Sequence, residues 1–171
     1  MSEHDPAVSQ DDRETWTLTQ IGAFIFWFSQ IESALRHALA EALRLDWELY
    51  DAVTASYDFR TLCDVTSAAA RFRHANDPTT VTAIEKVISR WKRMNDTRVR
   101  IAHGTWQPSS ASGFSARHMS RQNLKVQELF DEPQKLTAAV QECQRLSQDM
   151  IFFPGGSLDQ SVRAQGWKRP E

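Results

Sequence analysis

Residues 91–106 read Trp-Lys-Arg-Met-Asn-Asp-Thr-Arg-Val-Arg-Ile-Ala-His-Gly-Thr-Trp, and the organisation of the chain is worked outward from them. Counting back from this stretch, Val81, Ile84, Ile88 and Trp91 step by three and four, and the same stepping continues through Asn95, Arg98 and Ala102. The spacing predicts a helix that starts at Asn76-Asp77-Pro78, with Asp77 as N-cap and Pro78 at the first helical position, where its missing N–H costs nothing. The helix is expected to run to about His103 and to close on Gly104 as a left-handed cap. An amide and a guanidinium then fall on a stripe that otherwise buries carbon. Polar groups taken out of water need partners, so this break in the pattern is either a satisfied core network or a site.

Upstream, Trp16 to about Leu45 reads as one long helix, with Leu18, Ile21, Ile25, Phe28, Leu35, Leu39 and Ala42 on a seam that Phe24, Trp27 and Ile31 widen. Glu32 occupies a seam slot. Either it pairs with Arg36 one turn on and leans out to solvent, or it faces the third helix and pairs with Arg98 or Asn95. A short connection over 46–58 leads to a second helix, Phe59 to His74. Downstream of Gly104, Pro108, a Ser-rich run and the alternation in 114–120 and 124–130 predict a loop or an irregular two-stranded hairpin. Asp131, with Pro133 just inside, opens a last helix carrying Leu136, Val140, Cys143, Leu146 and Met150 to about Phe153, where Pro154-Gly155-Gly156 ends it. Residues 1–13 read as a disordered leader and 154–171 as a flexible tail. The expected fold is all-α: a four-helix, mostly antiparallel bundle over 14–153, with a loop or short β-hairpin inserted before the last helix.

The composition narrows the function. With 171 residues, 41% of them hydrophobic, nine Phe and six Trp, the chain has enough apolar surface for one ordinary core. A net charge of -2 argues against a protein that coats nucleic acid nonspecifically, so any such contact needs a local patch. Cys63 and Cys143 are too few and too far apart for a disulfide framework or a zinc site. A polar, acidic start and the lack of a long apolar run place the chain in the cytoplasm, off the membrane. No metal, dinucleotide or phosphate-loop motif occurs, and no cofactor is expected. A seryl or cysteinyl nucleophile is not marked by anything in the sequence.

What remains is Arg98 and His103, an Arg-x-x-x-x-His spacing at the end of a helix, with His103 in the last turn where the helix dipole favours a cation. On an ideal helix a five-residue step is about 140° of rotation, so the two side chains would meet through an irregular helix end or across a dimer.

A long first helix with a Glu in its seam, two middle helices, Asn-Asp-Thr-Arg-Val-Arg-Ile-Ala-His-Gly-Thr-Trp at 95–106 and a final helix together resemble a HEPN domain. The likeness spans roughly 14–153, and its specific signal lies in Arg98 to Gly104. It implies an all-α bundle that dimerises and, in many members, a metal-independent endoribonuclease of toxin–antitoxin, phage-defence or CRISPR-associated systems. Arg98 and His103 map to the Arg and His that line the cleft at the dimer interface. Two positions differ from the pattern. The residue after the Arg, commonly polar in catalytic members, is Val99, and Asn95 or Asp96 would have to supply that polar group. Thr105 stands where one branch carries an adenylylated Tyr two residues after the His.

The resemblance also implies a chemistry that the residues can perform. RNA carries its own nucleophile, the 2′-OH, so cleavage needs a base for its proton, an acid for the 5′ leaving oxygen and positive charge on the phosphorane. Two copies of His103 across a two-fold axis supply base and acid, and Arg98 holds the nonbridging oxygens. Arg90, Lys92, Arg93 and Arg100 form a basic run for the RNA backbone, with Arg71, Arg73 and His74 as a second patch, and Trp91 and Trp106 are candidates for base stacking. The expected partners are a second copy, RNA and an antitoxin or regulatory protein. The alternative from another class is a non-catalytic dimeric bundle of the same type that binds a partner protein or RNA, with Arg98, Glu32 and Asn95 as a buried polar network. The plainest reading is a helical dimer module with Phe24, Trp27 and Phe28 at its interface.

Overall fold

The structure, a computed structural model, describes residues 9–109, 113–119, 126–150, 153, 154, 156 and 164. It is mostly helical. In chain order it contains α1 (Gln10–Leu43), α2 (Trp47–Thr54), α3 (Phe59–Arg73), α4 (Pro78–His103), β1 (Thr105–Ser109), β2 (Gly113–Met119), β3 (Val126–Leu129) and α5 (Pro133–Asp149). The chain divides into two compact units, 1–27 with 97–143 and 28–96 with 144–171, and the division falls within α1, α4 and α5. Among the described residues no helix is long and apolar enough to cross a membrane.

In the first unit, Thr17, Phe24, Ile101, Ala116, Leu136, Val140 and Cys143 are buried. The sheet is antiparallel in the order β1-β2-β3, with Trp106 opposite Ala116 and Ala116 opposite Leu129. The expected hairpin is therefore β2 with β3, and β1 is an added edge strand. Pro108 sits in that edge strand, the position in a sheet where proline is tolerated. Gly113 takes a φ of +78°, and a Cβ there would lie 2.5 Å from the backbone of Arg13. The glycine is thus demanded by both its positive φ and the close approach of α1. The α1 helix begins at Gln10, inside the stretch read from sequence as leader; residues 1–8 lie outside the described ones, as does Trp167 of the tail.

In the second unit, Phe28, Ile31, Leu35 and Leu39 of α1 are buried, as are Leu62 and Cys63 of α3, Ile84, Ile88 and Trp91 of α4, and Leu146 of α5. Segment 46–58, expected as a connection, contains the eight-residue α2, so the described helices number five rather than four. Arg36 closes the end of α2 by donating to the carbonyls of Thr54 and Tyr57, while Glu32 accepts from the same guanidinium at 2.7 Å. That explains a carboxylate beside the α1 seam: it orients the arginine that satisfies the last carbonyl of α2 and one in the segment after it. Arg44, with φ 55°, takes the left-handed position after α1, and Leu45 N–H donates to Ala40 O at 2.9 Å.

Most of the expected seam residues are buried, among them Phe28, Leu35 and Leu39 of α1 and Ile84, Ile88 and Trp91 of α4, and the departures lie near the start of α1 and the end of α4. In α1, Leu18 and Ile25 are exposed and Phe24 and Phe28 are buried, so the exposed apolar face is Leu18, Ile25 and Phe26 rather than an interface of Phe24, Trp27 and Phe28. In α4 the buried line passes through Met94 and Ile101, while Ala102 is exposed and Asn95 and Arg98 are half-buried. The polar break inferred from the sequence lies on the shoulder of the stripe rather than inside it.

Candidate functional site

Arg98 and His103 lie in the last two turns of α4. The helix stays regular to its end, since Gly104 N–H donates to Arg100 O at 2.9 Å, the helical i to i−4 bond. Gly104 does not adopt the left-handed cap expected of it. It is glycine for a different reason: a Cβ would lie 2.4 Å from the Arg100 carbonyl oxygen and 3.3 Å from the Ala116 Cβ. Trp106 fastens the helix end, its indole N–H donating to Ile101 O at 2.9 Å and its ring stacking on Phe130 at 6.0 Å. Phe130 itself holds a φ of 57°, a left-handed conformation that costs an aromatic residue energy.

A regular helix leaves the five-residue step at about 140°, so Arg98 and His103 leave α4 in different directions. An irregular helix end does not bring them together. His103 is exposed and Arg98 half-buried. Each is presented at a different side of the same helix terminus, an arrangement in which one copy of the chain offers an imidazole and a guanidinium to different surfaces.

The other sequence-derived residues are distributed unevenly. Glu32 is held by Arg36, the plainer of its two readings. Among the basic run, Arg90 pairs with Asp149 at 3.2 Å, Lys92 pairs with Asp64, and Arg93 donates to Ser89 Oγ at 3.0 Å. Arg100 is exposed beside a cleft of about 390 Å³ that Thr97, Glu128, Phe130, Asp131 and Lys135 also line. That cleft is of mixed sign. Lys135 bonds Asp131 at 2.7 Å, and its ammonium holds the Asp131 carboxyl below the usual carboxylate range. In the second patch, Arg71 pairs with Glu85 at 2.7 Å. Trp91 is fully buried against Phe153, with ring centroids 5.7 Å apart, and offers no face to a base.

No family model, curated protein or solved structure matches this chain.

Burial pushes the Cys63 and Cys143 thiols up to about 12, against an ordinary 9.0, so neither is a thiolate nucleophile near neutral pH. Among the described residues no group of three or more His, Cys, Asp or Glu side chains is placed to hold a metal ion. One contributor was missed from sequence. Arg60, in the first turn of α3, lines a pocket with Ser89, Lys92, Arg93, Asn95 and Asp96. Its signal was the N-cap Asp58, which accepts from Thr61 N at 2.7 Å and fixes where that first turn lies.

Proposed function

We propose that this protein is a metal-independent endoribonuclease of HEPN type, a homodimeric helical-bundle enzyme of the cytoplasm that acts as the toxin or effector of a defence or toxin–antitoxin pair. The observation that carries this reading is the placement of an exposed His103 five residues after Arg98 at the end of a regular helix, closed by Gly104 and pinned by Trp106.

The helix geometry gives the two residues separate tasks. An imidazole at the helix end takes the proton of the 2′-OH as that oxygen attacks phosphorus, and its counterpart on a second copy gives a proton to the departing 5′ oxygen. The bond broken is P–O5′ and the bond formed is P–O2′, leaving a 2′,3′-cyclic phosphate. The Arg98 guanidinium carries the charge that builds on the nonbridging oxygens. Because Arg98 and His103 diverge on one helix, a two-fold pairing of chains supplies the missing convergence. The exposed Leu18, Ile25 and Phe26 of α1, beside a Gly22 with open space around it, support such pairing.

A second reading, a non-catalytic bundle of the same type that binds a partner protein or RNA, is favoured by Val99 after the Arg and by the half-burial of Arg98. The two separate on substrate chemistry. An RNA lacking the 2′-OH at the scissile position resists the wild-type enzyme while its all-ribose twin is cut, and Arg98→Ala cuts the latter roughly 10²–10³-fold more slowly. Equal treatment of the two substrates, or undiminished cleavage by Arg98→Ala, overturns the enzyme reading.

A further inference from the structure

The pocket between the first turn of α3 and the middle of α4 measures about 170 Å³. It is too small for a whole drug-sized ligand, which takes roughly 300 Å³ or more, and fits a single tetrahedral anion. Its walls are rich in donors. Arg60 comes from α3, and Ser89, Lys92, Arg93, Asn95 and Asp96 come from one face of α4. Two guanidiniums from two different helices give the crossed forks that phosphate oxygens take. Arg93 spends one N–H on Ser89 Oγ at 3.0 Å and keeps the rest. Arg60 has no salt bridge among the described residues, and it is exposed.

The charges select the anion further. Lys92 is already paired with Asp64, and Asp96 is the one carboxylate lining the pocket. Asp58, just before α3, also acts on Arg60, so three cations and three carboxylates surround the pocket with no net charge between them. A singly charged phosphodiester then brings the least negative charge up to Asp96, whereas a doubly charged terminal phosphate brings twice as much.

We propose that this pocket holds one backbone phosphodiester of a single-stranded RNA, with Arg60 and Arg93 as its forked ligands and Asp96 as the group that discriminates against phosphate dianions. The identity of the strand as RNA rests on the ribonuclease reading; the pocket does not require cleavage.

The test is fluorescence-anisotropy binding of a short, fully 2′-O-methylated, uncleavable oligoribonucleotide to the full chain across a salt series. Arg60→Ala weakens binding roughly tenfold and lowers the salt slope by about 0.7, the loss of one phosphate contact. Lys86→Ala, an exposed α4 cation that does not line the pocket, leaves both unchanged. Asp96→Asn tightens binding and lets inorganic phosphate compete, an outcome that damage to the fold does not mimic. The proposal is overturned if wild type fails to bind the oligonucleotide, if Arg60→Ala and Lys86→Ala behave alike, or if Asp96→Asn weakens binding. Cleavage that persists while Arg60→Ala binds normally sinks the pocket alone. Pocket-dependent binding without any cleavage sinks the enzyme reading alone.

Discussion

At the scale of single residues, the exposure of His103 and the half-burial of Arg98 separate their expected phenotypes. His103→Ala removes an exposed side chain, so on the proposed mechanism it slows cleavage by about 10²–10⁴-fold with little change in melting temperature. Arg98→Ala slows cleavage and also lowers the melting temperature by several degrees, read in one thermal scan. The buried thiols give a pH signature. Below an unfolded value of 9.0 both chains keep their protons and the thiols' contribution is complete; it is lost as the pH rises toward the folded value of about 12. A Cys63→Ala, Cys143→Ala variant therefore shows a flatter alkaline decline in melting temperature than wild type, and an equal slope contradicts that sign. Much at this scale was legible from sequence: the five apolar residues expected to be buried in the last helix, Leu136 to Met150, are buried. Ile84, Ile88 and Trp91 of the α4 stripe are buried as expected, and only its last turns were misassigned by one residue, because Met94 and Ile101 share the spacing of Asn95 and Ala102 and a flexible thioether beside an amide does not announce which of the two is inside.

At the scale of elements, caps and turns carry the predictions. Hydrogen bonds from Thr61 and Thr80 hold the Asp58 and Asp77 carboxyls below the ordinary value of 3.8. Their contribution is present above that value and is lost as the pH falls through the folded values. Asn caps helices as well as Asp and does not titrate, so the Asp58→Asn, Asp77→Asn pair leaves neutral stability nearly unchanged and flattens the acid limb of a pH–stability curve. Arg44→Gly relieves a left-handed arginine and raises the melting temperature by a few degrees. Gly104→Ala, by contrast, drives a methyl into the Arg100 carbonyl and costs about 1–3 kcal/mol in chemical denaturation. The start of α4 at Pro78, the extent of α3 and the pairing of β2 with β3 were legible because each has a local chemical mark: Asp77-Pro78, a small-residue face and alternation. Helix α2 was not, because it is only eight residues long and gains its C-terminal partners from Arg36, eighteen positions away. Strand β1 was hidden by Pro108, which reads as a breaker until the strand is known to be an edge.

At the scale of the whole molecule, the divergence of Arg98 and His103 on one regular helix makes the proposed chemistry depend on a second copy. Mixing wild type with excess His103→Ala then depresses cleavage below simple dilution, because mixed dimers hold one imidazole where base and acid are both needed. Incubation of wild type and His103→Ala with total cellular RNA in excess EDTA, followed by determination of the fragment ends, decides whether His103 cuts RNA without a metal. Wild type is expected to leave fragments with 2′,3′-cyclic phosphate and 5′-hydroxyl ends, and the variant none. Identical patterns from the two proteins, with the variant shown to be folded, would contradict the proposed mechanism.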